Sequence, residues 1–236
     1  MRSLTLAGLI VTSGIAAIAA PAAAVQTVVL TSVGIYNPGH LNVTTGATTK
    51  SEYSVPLIFT AKGAKGVAFD ALGFCVDLAH NIYVGFGSQL ATSLPYHVAP
   101  LRNDGFGNPL KNKQINEIGG LATLGFAIAK SSDANKSAEL AAVQQAIWTV
   151  EYPHSNFVST GGFAASQASY AAQYLAAAPT LHGFARTIVA DNGATQAFIS
   201  NIGSVPEPAM WVEMLAGFGV IGALSRRRRT TAIVAA

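Results

Sequence analysis

The chain has 236 residues, a formal net charge of +3 and only 11% charged residues. Of its 14 basic residues five are Arg2 and Arg226 to Arg229, and of its 11 acidic residues two are Glu207 and Glu213, so nine of each sign remain between Val25 and Ser204. A formally neutral middle excludes the basic surface that nucleic acid requires, and its length allows a single domain once the ends are set aside.

The first residues are Met1 and Arg2, then a small-residue apolar stretch from Leu4 to Ala20 that closes on Pro21-Ala22-Ala23-Ala24. One positive charge, a short apolar core and an Ala-x-Ala site predict a secretory signal peptide over residues 1–24, cleaved after Ala24. From Val25 to about Tyr96 the signals are mostly strand. Val28-Val29-Leu30, Val55 to Phe59 and Phe69 to Leu78 are β-prone runs, with Ile82-Tyr83-Val84 a further one. Asn37-Pro38-Gly39 and Lys62 to Gly66 carry turn chemistry. Pro95 to Pro109 reads as a loop. The period then changes: Ile115, Ile118, Leu121, Ala122 and Gly125 fit a helix from about Lys113 to Ala129. A second helix is expected from about Ser137, a plausible N-cap, to Val150. Ala164 to Ala177 and Leu181 to Ala190 are also helix-like. Strands first and helices after predict an α+β fold for an extracellular domain over residues 25–204, with a β-sheet or barrel-like part preceding a helical part.

The C-terminal end reads Val205-Pro206-Glu207-Pro208-Ala209-Met210-Trp211, then the apolar run Val212 to Leu224, then Arg226-Arg227-Arg228-Arg229. Trp favours the membrane interface and clustered Arg the cytoplasmic side. The span is short, and Glu213 weakens it further, so temporary retention suits it better than permanent anchoring. Pro206, Glu207, Pro208, Trp211, the apolar helix and the Arg run together resemble the PEP-CTERM sorting signal of Gram-negative bacteria, covering residues 205–229 with a cytoplasmic tail at 230–236. The resemblance implies cleavage near the Pro-Glu-Pro motif by an exosortase-type protease, transient residence in the inner membrane, and release to the cell surface or the exopolysaccharide matrix. It says nothing of what the cargo does.

Cys75 is the chain's one cysteine. An exported domain can use disulfides, and a lone Cys there points to intermolecular pairing, a reactive thiol or another covalent use. On the second helix Leu140, Val143, Gln144, Ile147 and Trp148 share a face at i, i+3, i+4, i+7 and i+8. Gln144 is the odd member, since a primary amide there needs partners or is desolvated at about 1–3 kcal/mol. Gln145 lies a quarter turn around and is expected to face water. If a Cys thiolate attacks the Gln side-chain carbonyl, ammonia leaves and a thioester remains, a single-use acyl donor without turnover. Phe74-Cys75-Val76-Asp77-Leu78 resembles the aromatic-Cys-apolar element of bacterial surface thioester domains, and Val143 to Trp148 is similar to their apolar-Gln-x-Ala-Ile-Trp element. The resemblance implies Cys75 and Gln144 as the bond-forming pair, packed by Phe74, Val143, Ile147 and Trp148, and a surface or matrix partner offering an amine or a hydroxyl. Two departures stand out: Val143 replaces the family's usual Thr, and the known members are Gram-positive adhesins.

Blander readings compete. Cys75 can be a plain buried side chain with Gln144 bonded to backbone, in a non-covalent structural protein of the extracellular matrix. A Cys-dependent hydrolase would pair Cys75 with His97, His154 or His182, although no spacing supports it. Asp77 and His80 alone do not make a metal site, so neither a metal nor a cofactor is expected. Asn42-Val43-Thr44 and Asn135-Lys136-Ser137 fit a glycosylation pattern that a bacterial sorting tail makes irrelevant.

Overall fold

The computed structural model describes residues 27–200 apart from 36, 63–67, 79, 81–88, 105, 184–185 and 191–195. The signal segment, the sorting tail with Pro206, Glu207, Pro208, Trp211 and Arg226 to Arg229, and the run Ile82 to Val84 therefore lie outside the described residues. Within them, no helix is long and apolar enough to cross a membrane.

The strands begin with Thr27–Ile35 (β1), Gly39–Thr45 (β2), Thr48–Ser54 (β3), Leu57–Lys62 (β4), Ala68–Cys75 (β5) and Gln89–Pro100 (β6). Their inward faces follow the period of two: Leu57, Phe59 and Ala61 of β4 are buried and Ile58 and Lys62 exposed. In β2 the inward residues are Gly39, Leu41 and Val43. The β2–β3 hairpin turns on Gly46-Ala47, where Gly46 takes a φ of 60° that a side chain would resist. Helices Asn112–Lys130 (α1) and Lys136–Glu151 (α2) follow, then strand Ser155–Thr160 (β7), helix Ala164–Ala177 (α3) and strands Arg186–Ala190 (β8) and Phe198–Ser200 (β9).

The fold is α+β. Six strands close into an antiparallel barrel in the order β1-β4-β5-β9-β8-β6, and β3-β2-β7 form a separate three-stranded sheet. Leu30, Phe59, Tyr96, Ile188 and Phe198 fill one core, joined by Cys75, Trp148 and Tyr152. A second core, between barrel wall and helices, holds Phe74, Leu121, Val143, Ile147 and Ile199. The alternation of β5 therefore sends Phe74 to one core and Cys75 to the other. Helix α2 runs between these parts and is buried nearly all round, Ala138, Ala141, Ala142 and Ala146 permitting close approach of its neighbours.

Four expectations are corrected. Residues 95–100 belong to β6 rather than a loop, with Tyr96 inside the barrel. Pro95 is tolerated there because pairing with β8 begins only at Tyr96. Residues 186–190 form β8 rather than helix, which the β-branched run Thr187-Ile188-Val189 favours. Strand β5 stops at Cys75 rather than at Leu78. Asn135, not Ser137, is the N-cap of α2 and makes no side-chain cap bond, while the Ser137 hydroxyl accepts a bond from Asn37 at 2.8 Å.

Candidate functional site

Strand β4 pairs with β5 from Lys62↔Ala68 to Leu57↔Gly73 and begins just after Pro56. Continuing that register would set Pro56, which has no N–H, against Phe74 and Val55 against Cys75. The ladder ends here, and the Cys75 backbone needs other partners. Gln144 supplies both. The Cys75 N–H donates to Gln144 Oε1 at 2.8 Å, and Gln144 Nε2 donates to the Cys75 carbonyl at 2.8 Å. The carboxamide thus stands in for the missing strand residue. On the opposite side Cys75 is paired with Phe198 of β9.

What holds α2 in this position is packing beside a few polar ties. The Ser54 hydroxyl donates to the Ala141 carbonyl at 2.6 Å, tethering the end of β3 to the helix. Phe74 sits against α1 where Gly125 leaves room: a Cβ there would come within 2.3 Å of the ring. Val143 and Ile147 are fully buried in the same core as Phe74, and Trp148, one turn beyond Gln144, shares the other core with Cys75. The Trp148 ring stacks on Phe157 with centroids 6.4 Å apart. Two turns beyond Gln144, the Tyr152 hydroxyl accepts from Leu78 N–H at 3.0 Å and donates to the Asp104 carbonyl at 2.5 Å. Helix α2 therefore runs alongside the segment 75–78, fastened at both ends.

Cys75 and Gln144 meet through the Cys75 backbone. Cys75 ends a strand, Gln144 lies on a helix, and both are buried, Gln144 completely. Gln145 overturns an expectation: it is buried, not solvated. Its amide donates to the Phe157 carbonyl at 3.2 Å and its oxygen accepts from Ser159 at 2.8 Å and Gln167 at 3.1 Å. Because α2 has neighbours on every side, a quarter turn from the apolar stripe is still interior.

The site is acidic. Burial first, then the charges of Asp77, Glu151 and Glu52, push the Cys75 thiol far above its ordinary pKa, so it stands protonated. Burial and the same kind of neighbours push the Tyr152 hydroxyl up as well. Asp77 accepts from the His80 ring at 2.7 Å and from the His80 backbone at 3.1 Å. Asp104 accepts from the backbone of Phe106 and Asn108 and from the Asn108 amide at 2.8 Å. Among the described residues no group of three or more His, Cys, Asp or Glu is arranged to hold a metal.

Sequence reasoning missed Glu151, Tyr152, Asp104 and the role of Pro56. Glu151 had a signal: it lies seven residues after Gln144, on the same stripe, and a carboxyl there is as anomalous as the amide. Compared with family models, curated proteins and solved structures, the chain matches none.

Proposed function

We propose that the protein is an exported binding module of the cell surface or extracellular matrix that attaches covalently to its partner through a Cys75–Gln144 thioester. The observation that carries this reading is the clasp of the Gln144 carboxamide on the Cys75 backbone, both bonds at 2.8 Å, within a fully buried site. In closure the Cys75 sulfur bonds to the Gln144 side-chain carbonyl carbon, the C–N bond breaks, and ammonia leaves with the thiol proton. The Cys75 N–H already points at Gln144 Oε1, where negative charge develops, and one such preorganised donor is worth about 3–4 kcal/mol of barrier. Burial keeps water from the acyl group until an amine or hydroxyl of the partner enters. The protonated thiol disfavours a turnover enzyme that keeps a standing thiolate.

The test is an intact mass. The thioester form is one ammonia lighter than its sequence, and methylamine should add once, at Gln144, and free the thiol for alkylation. Cys75→Ala and Gln144→Ala should each abolish the addition. A full-mass chain with a free thiol that takes up no amine refutes the reading. One observation favours a second reading, a non-covalent matrix component: the same two hydrogen bonds satisfy a buried glutamine without any chemistry. That reading predicts the full mass.

The address belongs to the same proposal. Secreted material should begin near Val25 and lack Arg226 to Arg229, by N-terminal sequencing and mass. Protein in the medium that still carries the Arg run would count against exosortase-type processing.

A further inference from the structure

In the sheet β3-β2-β7 the two outer strands differ. On β7 the Phe157 carbonyl is taken by the Gln145 amide. Strand β3 pairs with β2 through a hairpin whose loop is the two residues Gly46-Ala47, so Thr45↔Thr48, Val43↔Lys50 and Leu41↔Glu52 are its hydrogen-bonded pairs. Thr44↔Thr49 and His40↔Tyr53 are the closer pairs between them, and their side chains meet. The Thr hydroxyls lie 2.9 Å apart and the His40 and Tyr53 ring centroids 4.9 Å apart. Thr49, Ser51 and Tyr53 therefore turn their N–H and C=O groups away from β2, to the outer edge. Among the described residues no backbone hydrogen bond reaches them from that side. Residues 48–51 and Tyr53 are exposed.

The charges on this edge are placed symmetrically. Lys50 and Glu52 flank Ser51 and share one face of the strand, with Thr49, Ser51 and Tyr53 on the other. A second copy laid antiparallel, Ser51 opposite Ser51, sets each Lys50 opposite the partner's Glu52. These fall at positions without backbone bonds, where side chains come closest. Sliding the copy by two residues either way keeps the backbone bonds but sets Lys50 on Lys50 or Glu52 on Glu52. Sliding it by one turns groups already bonded to β2 towards the copy, and the bonds are lost. Charge on an edge strand ordinarily repels other chains. Here it repels the wrong registers of a second copy and admits the right one.

We infer that β3 is a self-association edge, on which two copies of the chain pair residues 49–53 antiparallel about Ser51 and join their three-stranded sheets into one. The edge belongs to a different sheet from the barrel strand that carries Cys75, so the inference stands whether or not the thioester forms.

The full chain, kept in non-ionic detergent because of its apolar tail, is followed by sedimentation velocity across concentration. Wild type should pass from one copy to two. Lys50→Glu and Glu52→Lys each turn both facing pairs into like charges and should weaken self-association about 10-fold or more. Mixed in equal amounts, the two variants should pair with each other at near wild-type strength, and the double variant should pair with itself. Added salt should weaken the wild-type pair, since its charges are exposed to screening. Ser51→Cys should give a disulfide-linked dimer under mild oxidation, because the facing positions lie within disulfide reach. Lys50→Glu in the same chain should abolish that crosslink. If Glu52→Lys fails to fold by circular dichroism, Lys50→Glu and the crosslink decide. A chain that stays single up to about 0.1 mM overturns the inference. So does association that no charge change moves, or a Ser51→Cys chain that does not crosslink.

Discussion

Gly125→Ala should destabilise the protein even though alanine favours helices. Built at Gly125, the methyl carbon would lie 2.3 Å from Phe74 Cζ, 2.6 Å from Cε2 and 3.0 Å from Val143 Cγ1. Carbon–carbon contacts relax to about 3.5–4.0 Å, so the Phe74 ring must move by more than about 1 Å. It has nowhere to go. The ring is fully buried and packed against Phe126 with centroids 5.6 Å apart. The strand beneath it cannot retreat, because Gly73 already lies against Phe59 and Phe198. Overpacking of this severity falls at the upper end of about 1–3 kcal/mol, and the gain from Gly to Ala in a helix returns about 1 kcal/mol. The net loss is about 2 kcal/mol, read as a lower urea midpoint at an unchanged slope. Phe74→Leu in the same chain vacates the space the methyl needs, so the double-mutant cycle should show a favourable coupling of about 1 kcal/mol or more. A Gly125→Ala protein as stable as its parent would refute the close approach of α1 to Phe74, and with it the seating of Cys75.

Gln145→Ala should cost about 1–3 kcal/mol in urea unfolding, because it strands Gln167, whose Oε1 already lacks a partner, and the Phe157 carbonyl; an unchanged midpoint would show that the residue is solvated after all. The raised pKa of Glu151 makes stability depend on pH with a definite sign. Its contribution is full below 4.5, the value of an unburied glutamate, and is lost as pH rises towards and through the folded value, by about 1.4 kcal/mol per pH unit for one proton. Unfolding free energies across that range should show this slope, and Glu151→Gln should remove it; the same slope in both proteins would assign it elsewhere.

The β-then-α order and three helices close to their observed bounds were legible in the sequence, since each rests on local period, while the pairing of Cys75 with Gln144 came from the resemblance to thioester-domain elements. The barrel was only half legible. Its closure depends on β8 and β9, and β9 is three residues long, too short for a period to register. The three-stranded sheet depends on β7, whose exposed and half-buried residues carry no alternation strong enough to announce a strand. Gln145 was misjudged for a tertiary reason: the helical wheel gives angles but not how many faces of a helix are covered. Pro56 was visible, but its effect required the register of β4 on β5.

Both readings of the site begin from one arrangement, and they part at the Gln144 nitrogen. As an amide, Nε2 satisfies the Cys75 carbonyl at the point where β4 has ended. As a thioester, that nitrogen is gone and the carbonyl loses its partner in a buried place, a cost of about 1–3 kcal/mol. Against this stands a crosslink between positions 69 residues apart, which by loop-closure entropy would restrict the unfolded chain by about 4 kcal/mol. By this sum the closed chain would resist unfolding modestly better than the open one. The barrier is the larger obstacle, because the thiol is protonated and the amide is a poor acyl donor.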